Sequence, residues 1–453
     1  MKRTVDMTVG SPAKHILKFA FPLILSNIGQ QLYYIADASI VGRGVGVNAL
    51  AAVGATDWIY CMFLWAIIAL THGFSTFVSR CFGEKNFEKM NKIIAMSTVL
   101  TAVISVFFAL VGMGLANPLL NLMNTPGKIL PDATAYLMIM VGGIVIVAAY
   151  NMASAILRAF GDGKSPLVAM VVAGVLNVGL DLLFVLAFGW GIYGAAIASV
   201  LSQLVSFLYC LLQIRKIDCV QLPKGIWKID WAMIKELLFF GMPLALQHVT
   251  ISVGGMFLQS AINSQGSIFL AGYTATNKMY GLMECSSTAL GLACATFFSQ
   301  NYGAGLYKRV RQGVKIGTLI ATGMAVVVTV ILFLIRRELL QLFLDTNQAD
   351  GPEALNVAVR YLSIMLGFLV ILFLIHVYRN ALQSLKISVW SMLSGFAELA
   401  CRLFMAMVAI SWIGPDALFM SEPMAWLGAL LFVFVPYFFY QKKLLPKDRT
   451  TPL

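Results

Sequence analysis

Twelve long apolar stretches constrain this chain more than any other feature. A membrane-spanning helix needs roughly 20 mostly apolar residues. The stretches lie at about 15–42, 50–79, 93–115, 132–155, 167–188, 192–214, 236–262, 268–299, 313–335, 357–383, 388–412 and 424–441. Hydrophobic residues make up 60% of the chain and charged residues 11%, against about 45–50% and about 25% in soluble domains. The sequence therefore predicts an all-α polytopic membrane protein and excludes soluble enzymes, disordered chains and disulfide scaffolds.

Cysteine and histidine residues form no pattern typical of a metal site or a disulfide framework. The seven cysteines include no Cys-x-x-Cys pair, and the four histidines lie far apart in the sequence. The basic N-terminal segment leads into an apolar stretch that contains Asn27, Gln30 and Asp37, with no short cleavable core. We therefore expect a retained first span rather than a signal peptide, and no cofactor.

Two segments resemble nucleotide-binding motifs but lack the required context. Residues 158–165 resemble a P-loop, with Arg158 where the motif needs glycine. Residues 189–194 fit Gly-x-Gly-x-x-Gly, but no βαβ unit surrounds them. A DDxxD motif, typical of isoprenoid enzymes, is also absent from the sequence. We expect that the protein is not an enzyme and is not driven directly by ATP.

The basic residues are distributed unevenly along the chain. If the N-terminus is cytoplasmic, 25 of the 32 lysines and arginines lie in inner segments, five lie in outer segments, and two lie within spans. This bias follows the positive-inside rule and predicts that both termini are cytoplasmic in the cell membrane. The net charge of +12 is thus an orientation signal, and we expect no nucleic-acid partner.

The two halves of the chain resemble each other. Residues 136–146 match residues 361–371 at seven of eleven positions, and Pro22 corresponds to Pro243. Each half has six spans, so the halves enter the membrane in the same sense, as parallel repeats. We expect a six-helix lobe at 1–214, a cytoplasmic connector at 215–235, a second six-helix lobe at 236–441, and a cytoplasmic tail at 442–453. Both prolines are expected to kink their helices and to act as hinges.

A few ionisable residues lie inside the predicted spans. A central Asp, Lys or Arg costs about 2.5–3.5 kcal/mol on insertion scales, so such residues are usually functional or paired. Asp181 lies one helical turn after Asn177, so both side chains project from one face. The ionisable candidates within the spans are Asp37, Asp181, Lys278, Glu284, Glu398 and Arg402.

Several of these positions carry a resemblance to a known family. Pro22, Asp37, Asn177, Asp181 and the small-residue segment 194–199 resemble the multidrug and toxic compound extrusion (MATE) family, and the resemblance covers essentially the whole chain. It implies a V-shaped antiporter with two six-helix bundles, which expels organic cations against an inward flow of Na⁺ or H⁺. The family's cation-site positions carry over to Asp37, Tyr136, Asn177, Asp181 and Ser199. A coupling Na⁺ ion would then lie at Asp37, Asn177 and Asp181. Carboxylate, amide and hydroxyl oxygens suit such a hard cation. The alternative is that these are buried structural polar groups.

The second half departs from part of the family. One branch carries a glutamate in span 7, where this chain has Gln247 and no acid. In the alignment of the halves, Asn177 corresponds to Glu398 and Asp181 to Arg402. Arg402 is therefore either a fixed internal cation that replaces the coupling site or part of a structural Glu398–Arg402 pair. Gln247, Lys278 and Glu284 have the same two alternatives, since each could contact substrate or form an internal pair.

The resemblance and the twinned halves together predict a carrier that works by alternating access. The expected substrates are small organic compounds, cationic or amphipathic, and the expected unit is a monomer in contact with membrane lipid. The alternative function is a lipid or lipid-linked oligosaccharide flippase of the same superfamily. Such flippases often have more basic cavities, for which only Lys278, Arg402 and Arg379 are available here.

Overall fold

A computed structural model describes residues 4–123, 125–344 and 350–445, and within these ranges all regular structure is helical. A bilayer core offers no water to the peptide groups, and a helix satisfies them within a single segment. The first half contains α1 (Pro12–Gly44), α2 (Val47–Gly83), α3 (Phe87–Leu122), α4 (Leu130–Gly142), α5 (Ile144–Ala159), α6 (Lys164–Asp181) and α7 (Gly191–Ile214). The second half contains α8 (Trp231–Asn263), α9 (Ser267–Gly303), α10 (Tyr307–Gln341), α11 (Gly351–Ser384), α12 (Val389–Phe404), α13 (Ile410–Ile413), α14 (Asp416–Phe419) and α15 (Ser421–Leu444). The predicted all-helical polytopic fold is confirmed.

Among the described residues, ten helices are long and apolar enough to cross a membrane, or eleven if the bent pair α4 and α5 forms one span. All twelve predicted stretches are largely helical. Of the twelve predicted stretches, α1 does not meet the criterion for a spanning helix. It is 33 residues long but carries Asn27, Gln30, Gln31 and Asp37 in its centre. Its polar content, and not its length, separates α1 from the other spans.

Proline residues and π-helical turns interrupt the regular helices. Pro22 lies inside α1 and Pro243 inside α8, while α4 and α5 meet at a bend of 40°. A π-helical segment, Leu182–Ala187, directly follows α6, and another, Met405–Ala409, directly follows α12. The two π segments occupy corresponding places in the two halves. The hinge role of Pro22 and Pro243 stays a prediction.

The chain forms two compact units. The first contains the described residues up to Val9 and Phe21–Ala245, and the second contains Gly10–Ala20 and the described residues from Leu246 onward. A large apolar cluster in the first unit is built from residues of α1 to α5, α7 and the π segment after α6, and it includes Tyr136 and Ile192. The predicted lobe boundaries stay a prediction, and the part of the predicted tail from residue 446 onward lies outside the described residues.

Hydrogen bonds and an ion pair hold the predicted connector against α3 within the first unit. The Asn91 side chain donates to the Cys219 carbonyl (3.1 Å) and accepts from the Gln221 amide (3.2 Å). Asp230 pairs with Lys92 (3.2 Å) and accepts from the backbone N–H of Met233 (3.1 Å) at the start of α8. These two contacts, the Met233 hydrogen bond above all, hold the pKa of the Asp230 carboxyl below its ordinary value. A polar loop is thereby held against the end of a spanning helix.

Candidate functional site

The structure brings Asp37 and Asp181 together. Asp37 lies on α1 and Asp181 is the last residue of α6, and their carboxyl groups are within hydrogen-bonding distance of each other. Asp37 is 9% exposed and Asp181 is 0% exposed. Two buried carboxylates in contact repel each other unless a proton or a cation neutralises one of them. This pair can therefore take up and release one positive charge.

Ser199 links the helices around this pair. Its hydroxyl accepts a hydrogen bond from the Asn177 amide (3.3 Å) and shares another with the Tyr33 hydroxyl (2.9 Å). Asn177 and Ser199 are buried. The predicted residues Asn177, Asp181 and Ser199 therefore belong to one polar cluster with Asp37, since α6 carries both Asn177 and Asp181.

Tyr136 lies next to this cluster on α4. It is 6% exposed, and its hydroxyl is within electrostatic range of Asp37, Asp57 and Tyr33. Oxygen atoms from Asp37, Asp181, Asn177 and the surrounding hydroxyls form a donor set suited to a hard monovalent cation or to a proton. In particular, the Asp37 Oδ1 atom is buried without a hydrogen-bond partner among the described residues.

Tyr33 is a member of this cluster that the sequence reasoning missed. It precedes Asp37 by four residues on α1 and therefore lies on the same helix face. The sequence shows the four-residue spacing between Tyr33 and Asp37. It does not show the contact of Tyr33 with Ser199, which is 166 residues away.

Close approach of α7 positions Ser199. A side-chain carbon on Gly194 would come within 3.0 Å of the backbone of Phe184, in the π segment that follows Asp181. Only glycine allows this contact without a shift of one helix. Gly194 and Ser199 are on the same helix, so the contact fixes the level of Ser199 relative to Asp181.

In the second unit, the corresponding positions form a buried ion-pair network. Glu398 pairs with Arg379 (2.8 Å) and with Arg402 (3.3 Å). Arg402 also donates to both oxygens of Glu422, at 3.0 and 2.9 Å. All four side chains are at most 9% exposed. The Glu398–Arg402 pair expected from the i, i+4 spacing is thus present, within a larger network that the sequence reasoning did not predict.

The other second-half candidates occupy different environments. Glu284 accepts from Tyr280 (3.0 Å) and contacts the ring of His376 (3.2 Å). Lys278 is exposed and forms no ion pair with a carboxylate in the described ranges. Gln247 is 1% exposed and packs against Gly395, where an added side-chain carbon would come within 3.0 Å of the Gln247 carbonyl.

Comparison with known sequences identifies the family. The MatE family profile matches twice, at residues 22–183 and 243–408, so the two matches begin at Pro22 and Pro243 and confirm the repeat. The probable multidrug resistance protein YpnP of Bacillus subtilis is 33% identical over 309 residues, which cover 68% of this chain and 69% of that protein. The probable multidrug resistance protein YoeA of the same organism is 26% identical over 436 residues, 94% of this chain and 93% of that protein.

Solved structures show the same fold. A MATE protein in complex with MaL6 superposes with a TM-score of 0.89 at 21% sequence identity, covering 98% of this chain and 99% of that one. The resemblance carried by Pro22, Asp37, Asn177 and Asp181 is therefore confirmed at the level of the family. Since the profile spans both halves and the fold agrees over nearly the whole length, this chain belongs to the MatE family of multi-pass membrane transporters.

Proposed function

We propose that this protein exports organic compounds, cationic or amphipathic, in exchange for Na⁺ or H⁺. The observation that carries the proposal is the contact between the buried carboxyl groups of Asp37 and Asp181. The multidrug-resistance names of YpnP and YoeA support the substrate class and favour an exporter over a lipid or oligosaccharide flippase.

The proposed coupling step neutralises charge between α1 and α6. A cation or proton bound at Asp37 and Asp181 removes the repulsion between the two carboxylates. When the cation or proton is released, the repulsion returns. Asn177, Ser199 and Tyr33 are joined by hydrogen bonds, and Tyr136 lies within electrostatic range of Asp37. These side chains would supply further oxygen atoms. Because Asp37 and Pro22 are on the same helix, a change at Asp37 can be relayed to the kink in α1.

Alternating access would use this step to convert an ion gradient into export. The bound ion stabilises one opening of the carrier, and the ion-free pair favours the other. A membrane potential of 100 mV contributes about 2.3 kcal/mol for each charge moved. For an uncharged substrate and one ion, that is about a fiftyfold concentration ratio.

We place the coupling site in the first unit only. Asn177 and Asp181 have Glu398 and Arg402 as their second-half counterparts, and these already neutralise each other in the ion-pair network. Arg402 thus occupies the second-half position at which a coupling cation would otherwise bind. Glu284 is engaged by Tyr280 and His376.

Reconstituted transport tests the proposal. The purified protein is placed in liposomes, and efflux of a fluorescent organic cation is followed under a Na⁺ gradient and, separately, under a pH gradient. We expect Asp37→Asn and Asp181→Asn each to abolish the response to the gradient that drives the wild type. Asp132→Asn is the matched control, because Asp132 is an exposed acid in the same unit. Gradient-driven efflux that persists in both site variants would rule out this coupling site.

A further inference from the structure

A cavity of about 200 Å³ lies between α10, α11 and α15 in the second unit. It shares no residue with the ion-pair network of Arg402. Its polar lining consists of Arg311, Lys315, Thr318, Tyr378, Tyr437 and Gln441. Two cations and several neutral donors therefore face one cavity, and none of the described residues that line it is acidic.

The two cations have no protein counter-ion among the residues that the structure describes. Neither Arg311 nor Lys315 forms an ion pair within the described ranges, and the Nε atom of Arg311 is buried without a hydrogen-bond partner there. A buried donor left unsatisfied costs about 1–3 kcal/mol, and more when it is charged. An anion in the cavity would satisfy both groups.

The neutral side chains are also arranged as donors. Thr318 donates to the Tyr378 hydroxyl (3.3 Å), so the proton of Tyr378 remains available to a ligand. Tyr378 and Tyr437 are 5% and 2% exposed, and their rings pack with centroids 5.3 Å apart. The cavity thus has a rigid wall. Its arginine suits the planar, two-point recognition of a phosphate group.

The position of the cavity matches a membrane interface. Arg311 is about one turn from the first residue of α10, and Gln441 is about one turn from the last residue of α15. From Lys315, exposed apolar residues continue along the same side of α10 at Leu319, Val326 and Val330. A ligand that fills the cavity and also covers this face needs an anionic group and long apolar chains.

We propose that the cavity binds the headgroup of an acidic phospholipid. Arg311 and Lys315 hold its phosphate, the hydroxyls of Tyr378 and Tyr437 donate to it, and its acyl chains cover the exposed face of α10. The same chemistry would attract free phosphate, but only a lipid accounts for both the basic cavity and the adjoining apolar face.

Lipid retention by the intact protein tests this site. The full-length protein in mild detergent is incubated with equal amounts of phosphatidylglycerol and phosphatidylcholine of the same chain length, and bound lipid is counted by native mass spectrometry. We expect wild-type protein to retain phosphatidylglycerol preferentially. Arg311→Gln with Lys315→Gln should lower that retention by about fivefold for each cation removed. Lys442→Gln with Lys443→Gln removes the same charge from the exposed last turn of α15 and should leave retention unchanged.

Three results would overturn the proposal. The first is equal retention of both lipids by the wild type, and the second is an equal loss in the control double variant, which would indicate diffuse surface attraction. The third is displacement of the lipid by millimolar inorganic phosphate, which would assign the site to the free anion. If the double variant does not fold, the single change Lys315→Gln at an exposed position gives the same readout with one cation removed.

Discussion

Arg402 is held between two buried carboxylates, Glu398 and Glu422, at 3.3 and 2.9 Å. Removing one partner of a buried ion pair typically costs about 3–5 kcal/mol, because the other charge stays buried without compensation. We expect Arg402→Ala to be destabilised by about that amount, and Arg402→Lys by less, because lysine keeps the charge but loses the two-point contact. The loss of stability is measured as a lower unfolding temperature in detergent, with size-exclusion chromatography used to monitor unfolding.

The matched control for Arg402 is Arg360, which pairs with Asp416 at 2.6 Å on the protein exterior. Exposed pairs contribute about 0–1 kcal/mol, so Arg360→Ala should unfold close to the wild type. Equal unfolding temperatures for Arg402→Ala and Arg360→Ala would contradict the prediction. Transport by the folded fraction of Arg402→Ala then decides its role. An altered dependence on Na⁺ or pH favours a fixed internal cation, and an unaltered dependence favours a structural pair.

Asp230, which lies outside the membrane spans, is expected to make the stability of the fold depend on pH. The Met233 amide and Lys92 hold its pKa below the ordinary value, so its contacts stabilise the fold above about pH 4 and lose that effect as the pH falls through the lowered pKa. We expect Asp230→Asn to unfold at a lower temperature than the wild type near pH 7, with the difference shrinking below about pH 4. Unfolding curves between pH 3 and pH 7 measure it, and a difference that grows toward low pH would contradict the assignment.

At single positions, the sequence indicates which polar residues are unusual but not what they contact. Asp37 and Asp181 stand out because an isolated acid in an apolar stretch is costly. Tyr33, Arg379 and Glu422 do not stand out in this way, because a tyrosine is common in spans and the other two lie near predicted span ends. Their roles depend on contacts across 15 to 166 residues, which helical spacing within one segment cannot reveal.

At the level of helices, apolar length predicts every span but not the turns within them. The π segments after α6 and α12 contain only apolar residues. Such apolar runs are common throughout the spans, so composition does not mark these turns. One π segment follows Asp181 and the other follows Arg402, at corresponding positions of the two halves. The fold therefore repeats a π-helical turn beside side chains of opposite charge. Such π turns are frequent at functional sites.

Gly194 allows α7 to pack closely against the π segment that follows α6. We expect Gly194→Ala to be destabilised by about 1–3 kcal/mol, because the new carbon overlaps the Phe184 backbone. It should also weaken gradient-driven transport, since Ser199 would shift relative to Asn177. The comparison is Gly179→Ala on α6, where no atom lies within 4 Å of the added carbon. Alanine should be neutral or stabilising there. Equal stability of the two variants would argue against close packing at Gly194.

For the whole molecule, the repeat is the strongest prediction that the sequence makes. Aligned prolines, tyrosines and glycines predict two related halves, and the double profile match bears this out. The same alignment shows where the halves diverge, because Tyr136 is repeated as Tyr361 while Asp181 is replaced by Arg402. Tyr361 then stacks on Tyr273 and Phe419, at 5.1 and 5.3 Å. One half keeps an acidic pair, and the other has a neutralised network.

Orientation is a property of the whole chain that follows from its charge distribution. With 25 of 32 basic residues in the predicted inner segments, the positive-inside rule predicts that both termini are cytoplasmic. We expect a C-terminal fusion to green fluorescent protein to be fluorescent and one to alkaline phosphatase to be inactive, since the phosphatase needs an oxidising compartment for its disulfides. Truncated fusions after Gly127 should show the opposite pattern, and fusions after Lys224 the same pattern as the C-terminus. Because six spans separate Lys224 from the C-terminus, different patterns at these two points would refute the parallel repeat as well as the orientation.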